Sequence, residues 1–304
     1  MKPLVVKDNV LINASYNLGL VEQRLILLAI IEARESNKGI TANDPLVVHA
    51  ESYISQFGVH RNTAYQALKD ACDDLFARQF SYQRINQKGN LENYKSRWVS
   101  EIGYVDNEAV VKLIFAPAIV PLITRLEEQF TKYELQQVSQ LSSAYAVRLY
   151  EILIAWRSLE KTPIIELEEF RQKMGVLESE YKRSDNFKKW VIEQSIQQIN
   201  TYTDITAKYE QHKKGRSIYG FSFSFKQKKK VIEQKTKEVN HFVKLTDSQI
   251  NMFGNQLARL PELAHLAFGN ESYDALASRI KDMLEDAEQQ KVLIPHLEKL
   301  GFKR

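Results

Sequence analysis

A polar-faced helix followed by a hairpin tipped with lysine and arginine, an upstream stretch that repeats this order of elements, and a charge-balanced helical remainder predict an α+β chain. The fold class they predict is two tandem winged-helix domains followed by a small helical C-terminal appendage. The first observation rests on Tyr181 to Lys230, which holds twelve Lys or Arg against four acids, a net +8 in a 304-residue chain of net charge +4. Charge gathered into one short stretch predicts a binding surface for a polyanion before it predicts solubility.

Within that stretch Ser184 and Asp185 are good N-caps, and a helical period runs from Asp185 to Thr201. On a wheel of about 100° per residue, Phe187, Val191, Ile192, Ser195, Ile196 and Ile199 share one side. Arg183, Asn186, Trp190, Glu193 and Gln197 fall near the other, with Lys189 at its edge. Two β-rich runs follow, Ile205–Glu210 and Ser217–Phe225, joined by His212-Lys213-Lys214-Gly215-Arg216. A helix for the major groove and a wing for the phosphates account for this pattern. Base-reading contacts are expected from Arg183, Asn186, Lys189, Trp190 and Glu193, and backbone contacts from Lys188, Lys213, Lys214 and Arg216. The plainer alternative is a solvated charged helix beside an ordinary hairpin.

The first half has the same plan. Leu18–Ala33 is a strongly apolar helix, Pro45–His49 a short strand, Glu51–Gly58 a short helix, and Asn62–Ala77 a second helix after a turn at Gly58. Phe80–Tyr82 and Trp98–Phe115 are strand-like and flank a polar loop, Gln83–Arg97, that contains Lys88-Gly89-Asn90. The second half opens with the helix Ser142–Arg157, the short strand Pro163–Glu166 and the short helix Leu167–Gly175. Tyr53, Phe57, Gly58 and Val59 match Phe170, Met174, Gly175 and Val176 at an offset of 117, and the tips Lys88-Gly89-Asn90 and Lys214-Gly215-Arg216 lie 126 apart. Nearly constant offsets argue for a duplicated unit.

The expected divisions are residues 1–130, a first winged-helix domain contacting DNA backbone; 131–230, a second that reads the major groove; and 231–304, a linker and helical region of unassigned role. The join falls near Arg125–Ser139. The first unit's outer helix carries Asp70, Asp73 and Asp74, which repel phosphate, so only its start, with His60, Arg61, Asn62 and Gln66, is expected to approach DNA. Lys226–Asn240 read as a linker, Thr246 with Gln249 as a capping box, and Ser272–Lys291 as a helix. Leucines at 4, 11, 18 and 25 recur every seven residues, but Asn13, Ser15, Asn17 and Gly19 favour turns, so strand then helix is expected rather than a zipper.

Other function classes find no support. The histidines at 49, 60, 212, 241, 265 and 296 lack metal-ligand spacing, and no phosphate-binding glycine loop or nucleophile-elbow motif is present. No catalytic residue, metal or cofactor is expected, and the protein is not expected to be an enzyme. A single cysteine, Cys72, fits a reducing compartment. The N-terminus has no secretion signal, and the most apolar run, Leu25–Ile31, is too short to span a bilayer, so a cytoplasmic protein without a membrane partner is expected.

Three stretches, VKDNVLINASYNLGLVEQRLILLAI, SSAYAVRLYEILIAW and FKKWVIEQSIQQINTYTDITAKYEQHKKGRSIYGFSFSF, resemble the initiator replication proteins of iteron-containing bacterial plasmids. The subgroup on small plasmids of Acinetobacter-like bacteria is the nearest likeness. The resemblance covers about residues 5–225 and implies two winged-helix domains. It further implies monomers that bind origin iterons, open the adjacent DNA and recruit the host replication initiator and helicase. Homodimers formed through the first domain would bind an inverted-repeat operator and repress the initiator's own promoter. The family's main base-reading helix falls on Asp185–Thr201; the chain departs from the family at Trp190, where relatives often carry a basic residue. Two rival readings are a winged-helix transcriptional regulator and a protein-interaction scaffold without DNA reading.

Overall fold

In the computed structural model, residues 2–36, 38–39, 41, 43–124, 129–228, 245–267, 271–286 and 289–302 are described. The chain begins with β1 (Leu4–Asp8), which ends where the Asp8 carboxylate accepts the Val10 N–H at 2.7 Å and caps α1 (Asn9–Asn13). β2 (Ser15–Tyr16) and α2 (Leu20–Ser36) follow. α2 is buried on every side from Glu22 to Ile31, which is why its sequence is apolar all round. Its buried charges have partners: Glu22 pairs with Arg78 at 3.0 Å, and Arg24 donates to the carbonyls of Ser139 and Leu141. Leu11, Leu18 and Leu25 are all buried, on a helix, a connection and a second helix, so the seven-residue recurrence is core and not a zipper.

β3 (Leu46–His49), α3 (Ala50–Phe57) and α4 (Arg61–Ala77) form the first helix-turn-helix. Gly58 takes φ +59 after α3, where its N–H reaches the Ile54 carbonyl. The stretch Gln83–Arg97, expected to be a loop, is instead most of a hairpin, β4 (Gln79–Ile85) with β5 (Leu91–Arg97). Its side chains are mostly exposed on both faces, so no apolar alternation marks it in the sequence. A second hairpin follows, β6 (Val99–Val105) and β7 (Val110–Phe115), closed by a 3₁₀ turn at Asp106–Glu108. α5 (Val120–Thr124), β8 (Phe130–Glu134), which pairs antiparallel with β1, and α6 (Gln136–Ser139) complete this half.

The second half runs α7 (Ala144–Ile154), β9 (Ile165–Glu166), α8 (Leu167–Lys173), α9 (Ser184–Phe187), a π-helical turn (Lys188–Glu193), α10 (Gln194–Tyr202), β10 (Ile205–Lys214) and β11 (Ser217–Gln227). Its sheet order is β10-β11-β9, and the matching sheet of the first half is β3-β7-β6. In each, the short strand before the helix-turn-helix pairs with the second strand of a hairpin. The counterpart of the β10–β11 wing is therefore β6–β7, tipped by Asp106-Asn107-Glu108. The matching of Lys88-Gly89-Asn90 with Lys214-Gly215-Arg216 is thereby corrected: β4–β5 pairs with β2 in a separate sheet. Strand partners are chosen by non-local packing, which a sequence offset does not record.

One cluster of buried apolar residues runs from Val5 to Phe225, so both winged-helix units fold as a single body. Its polar centre is Arg148, on α7. Arg148 donates to the carbonyls of Ile12 and Ala14, both at 3.0 Å, and to that of Lys173 at 2.8 Å, and its Nη1 meets the Tyr16 hydroxyl at 2.6 Å. The Glu151 carboxylate accepts from Lys7 and Tyr133, each at 2.6 Å, and from Arg148 at 3.2 Å. Burial pulls Glu151 and Lys7 toward their neutral forms, but at Glu151 the adjacent Lys7 and Arg148 outweigh it and hold the carboxyl below its ordinary value. Gly175, at φ +73, packs on the Tyr16–Asn17 backbone, and the Asn17 amide donates to its carbonyl at 2.5 Å.

The C-terminal unit has its own core: α11 (Asp247–Leu257), a 3₁₀ turn (Pro261–Leu266), α12 (Tyr273–Glu285) and α13 (Gln290–Lys299). The Thr246–Gln249 capping box is present. The single helix expected over Ser272–Lys291 is two helices: Asp286 turns extended after α12, and its carboxylate accepts the Gln289 N–H at 2.9 Å. Residues 125–128 of the expected join and 229–244, with Lys229, Lys230 and most of the expected linker, lie outside the described residues. Among the described residues, no helix is long and apolar enough to cross a membrane.

Candidate nucleic-acid interface

The helix from α9 through α10 owes its position to its apolar side. Phe187, Val191, Ile192, Ser195 and Ile199 are buried, and Phe187 packs against Phe170 and Phe221. This is the side the helical wheel assigns to the core. The opposite side is open: Arg183, Asn186, Lys189, Trp190 and Glu193 are all exposed, and Lys188 is half-buried at the flank. The helix is not α-helical throughout, as its sequence period implies. Lys188–Glu193 is a π turn, in which the Gln194 N–H reaches back five residues to the Lys189 carbonyl.

The exposed side chains differ in their freedom. Arg183 lies 3.5 Å from Asp185, and both are more than three-quarters exposed, so solvent screens that pair. The Lys189 ammonium sits 4.6 Å above the Trp190 ring, which is 44% exposed. Glu193 accepts the Tyr209 hydroxyl of β10 at 2.8 Å. Burial first, and then this hydrogen bond, push the Tyr209 phenol up to about 12.

The wing presents Lys213, Lys214 and Arg216 to solvent around Gly215, at φ +62. The strands extend to Lys214 and from Ser217, so the turn is tighter than the expected five residues. The Lys214 ammonium lies 3.6 Å from the Tyr219 ring centroid, and Tyr219 in turn donates to Glu166. His212 meets Ser222 across the strands at 2.7 Å. Sequence reasoning passed over Tyr209 and Tyr219 as wing residues; the alternation within Ile205–Lys214 and Ser217–Gln227 was the signal that could have found them.

In the first unit, Arg61, Asn62 and Gln66 are exposed at the start of α4. Arg61 is paired with Glu51, and the Gln66 amide donates to Asp70 at 2.7 Å. Around them the acids accumulate: Asp70, Asp73 and Asp74 are exposed on α4, and Asp106 and Glu108 stand on the hairpin, paired with Lys69 and Lys112. The two units place equivalent elements at surfaces of opposite electrostatic character. Among the described residues, no group of three or more His, Cys, Asp or Glu is arranged to hold a metal ion.

Comparison with known proteins agrees with this architecture. Residues 4–154 match the model of the initiator replication protein family's first winged-helix domain (Initiator Replication protein, WH1), and residues 166–225 that of its second (Initiator Rep protein, WH2). A replication initiation protein of Escherichia coli is 25% identical over 290 residues, covering 92% of this chain and 86% of that protein. The structure of the Pi initiator protein in complex with iteron DNA superposes with a TM-score of 0.60 at 22% identity, over 74% of this chain and 97% of that one. The WH1 domain of MSBI1.176, a replication protein isolated from a multiple sclerosis patient, is 75% identical, with a TM-score of 0.35, over 42% of this chain and 97% of that domain.

Proposed function

Because the chain belongs to the initiator replication protein family of iteron-containing plasmids, we propose that it initiates plasmid DNA replication by binding repeated sites in the origin as a monomer. The observation that carries this reading is the exposed basic surface of the second unit, with Arg183, Lys189, Lys213, Lys214 and Arg216 on a helix and the wing beside it. Arg183, Asn186, Lys189 and Trp190 meet base edges; Lys188, Lys213, Lys214 and Arg216 hold phosphates. Arg61, Asn62 and Gln66 of the first unit add weaker backbone contacts, because the acids around them repel the duplex. Residues 131–230 thus do the reading, and residues 1–130 assist and mediate dimerisation. The dimer represses the initiator's own promoter at an inverted repeat, and the DNA-bound monomer opens the origin and recruits the host replication initiator and helicase.

The test is to place the gene and its flanking DNA on a marker fragment with no replicon of its own. Autonomous plasmids are expected from the intact gene and none from a version carrying alanine at Arg183, Lys213 and Lys214. Colonies at equal frequency from both versions would sink the proposal, and binding of the same DNA without any colonies would point to a transcriptional regulator instead.

A further inference from the structure

The π turn lies within the reading helix, and one exposed side chain just beyond it, Gln194, is outside the base-reading set. The turn spans Lys188–Glu193, and the residues beyond it keep the sides that a uniform wheel gives them: Ser195 and Ile199 are buried and Gln197 is exposed. On that wheel Glu193 stands on the outward side, and Gln194 lies at the edge of that side, about 40° from Trp190. In the structure Glu193 is turned to the flank that faces β10, where the Tyr209 hydroxyl holds its carboxylate at 2.8 Å. Gln194 then follows Trp190 at four residues along the exposed ridge, and Gln197 follows at three more; all three are exposed, while Val191, Ile192 and Ser195 beside them are buried.

We propose that Gln194 is a specificity-determining residue that reads an adenine in the major groove, and that Glu193 is held away from the bases by Tyr209. The inference rests on the proposed DNA reading by this helix and goes further in naming the residue and the base. The chemistry follows from the side chain. A glutamine amide donates from Nε2 to adenine N7 and accepts at Oε1 from the adenine N6 amino group, a two-point match that no other base offers in that arrangement. A carboxylate at the same place has no donor for N7 and instead accepts from the cytosine N4 amino group.

The full chain and its Gln194→Ala, Gln194→Glu and Glu193→Gln variants would each select from a pool of duplexes randomised over about two helical turns, followed by affinity measurements on single-base variants of the selected site. The expected result is one position at which the wild-type chain prefers adenine by roughly tenfold. Gln194→Ala loses that preference, Gln194→Glu moves it toward cytosine, and Glu193→Gln leaves it in place. A wild-type motif selected unchanged by Gln194→Ala, or one altered at the adenine only by Glu193→Gln, overturns the assignment of Gln194 and leaves DNA reading by the helix standing. Failure of the wild-type chain to select any motif overturns the reading of the helix and the inference with it.

Discussion

Arg148 and Glu151, three residues apart on α7, are each 1% exposed and paired at 3.2 Å, and through their other contacts they tie the two winged-helix units together. Arg148 satisfies carbonyls of the N-terminal segment at Ile12 and Ala14 and of the second unit at Lys173, while Glu151 neutralises both Arg148 and Lys7. A buried ion pair is a modest source of net stability when intact, but removing one partner strands the other charge away from water.

Glu151→Gln is therefore expected to lower the unfolding free energy by about 3–5 kcal/mol at neutral pH, with Lys7→Met added to it recovering part of the loss. The acid dependence has a definite sign. Glu151 is held below its ordinary value of 4.5, so its contribution is fully present above that pH and is lost as pH falls through the lower folded value. Thermal unfolding of the wild type and Glu151→Gln should thus converge below pH 4.5. A gap that stays constant into acid would contradict this account of the pair.

The repeat-related glycines Gly58 and Gly175 should respond differently to alanine. Both have positive φ, +59 and +73, which costs a side chain about 1 kcal/mol. A Cβ on Gly58 meets nothing within 4 Å, whereas one on Gly175 lies 2.2 Å from the Tyr16 carbonyl oxygen. Gly58→Ala should cost about 1 kcal/mol and Gly175→Ala roughly 3 kcal/mol or more, because two backbone segments must part. Denaturant unfolding of both variants measures the difference, and equal values would mean that the Tyr16–Gly175 contact is not as tight as described.

On DNA, the wing and the helix should separate by kind of effect. Lys213→Ala and Lys214→Ala should weaken binding to all sequences alike and reduce the slope of log affinity against log salt by about one each. Arg183→Ala should cost about 1–3 kcal/mol on the preferred site and relax discrimination at one base pair. Titrations at several salt concentrations on the preferred and a scrambled duplex distinguish the two. Should Arg183→Ala change both duplexes equally, Arg183 is a phosphate contact and the reading face begins further along the helix.

Patterns that repeat within a few residues were legible in the sequence, because caps, turns and periods are decided by neighbouring atoms. The Thr246–Gln249 box, the glycine turn at Gly58, the buried side of the reading helix and the concentration of charge between Tyr181 and Lys230 in the sequence all belong to this class. So does the apolar α2, whose burial on all sides leaves no polar face to be read. Tertiary structure decided the rest. Which hairpin serves as the first unit's wing depends on β3 pairing with β7, a contact between strands more than sixty residues apart. Where the Glu193 carboxylate points depends on Tyr209 of a neighbouring strand. That the two units form one body depends on an apolar core running from Val5 to Phe225, and on Arg148 at its polar centre finding carbonyls at Ile12 and Ala14. The sequence by itself determined the elements and their charge; their partners and the final angle of each side chain came from packing, because non-local contact energies leave no periodic trace along the chain.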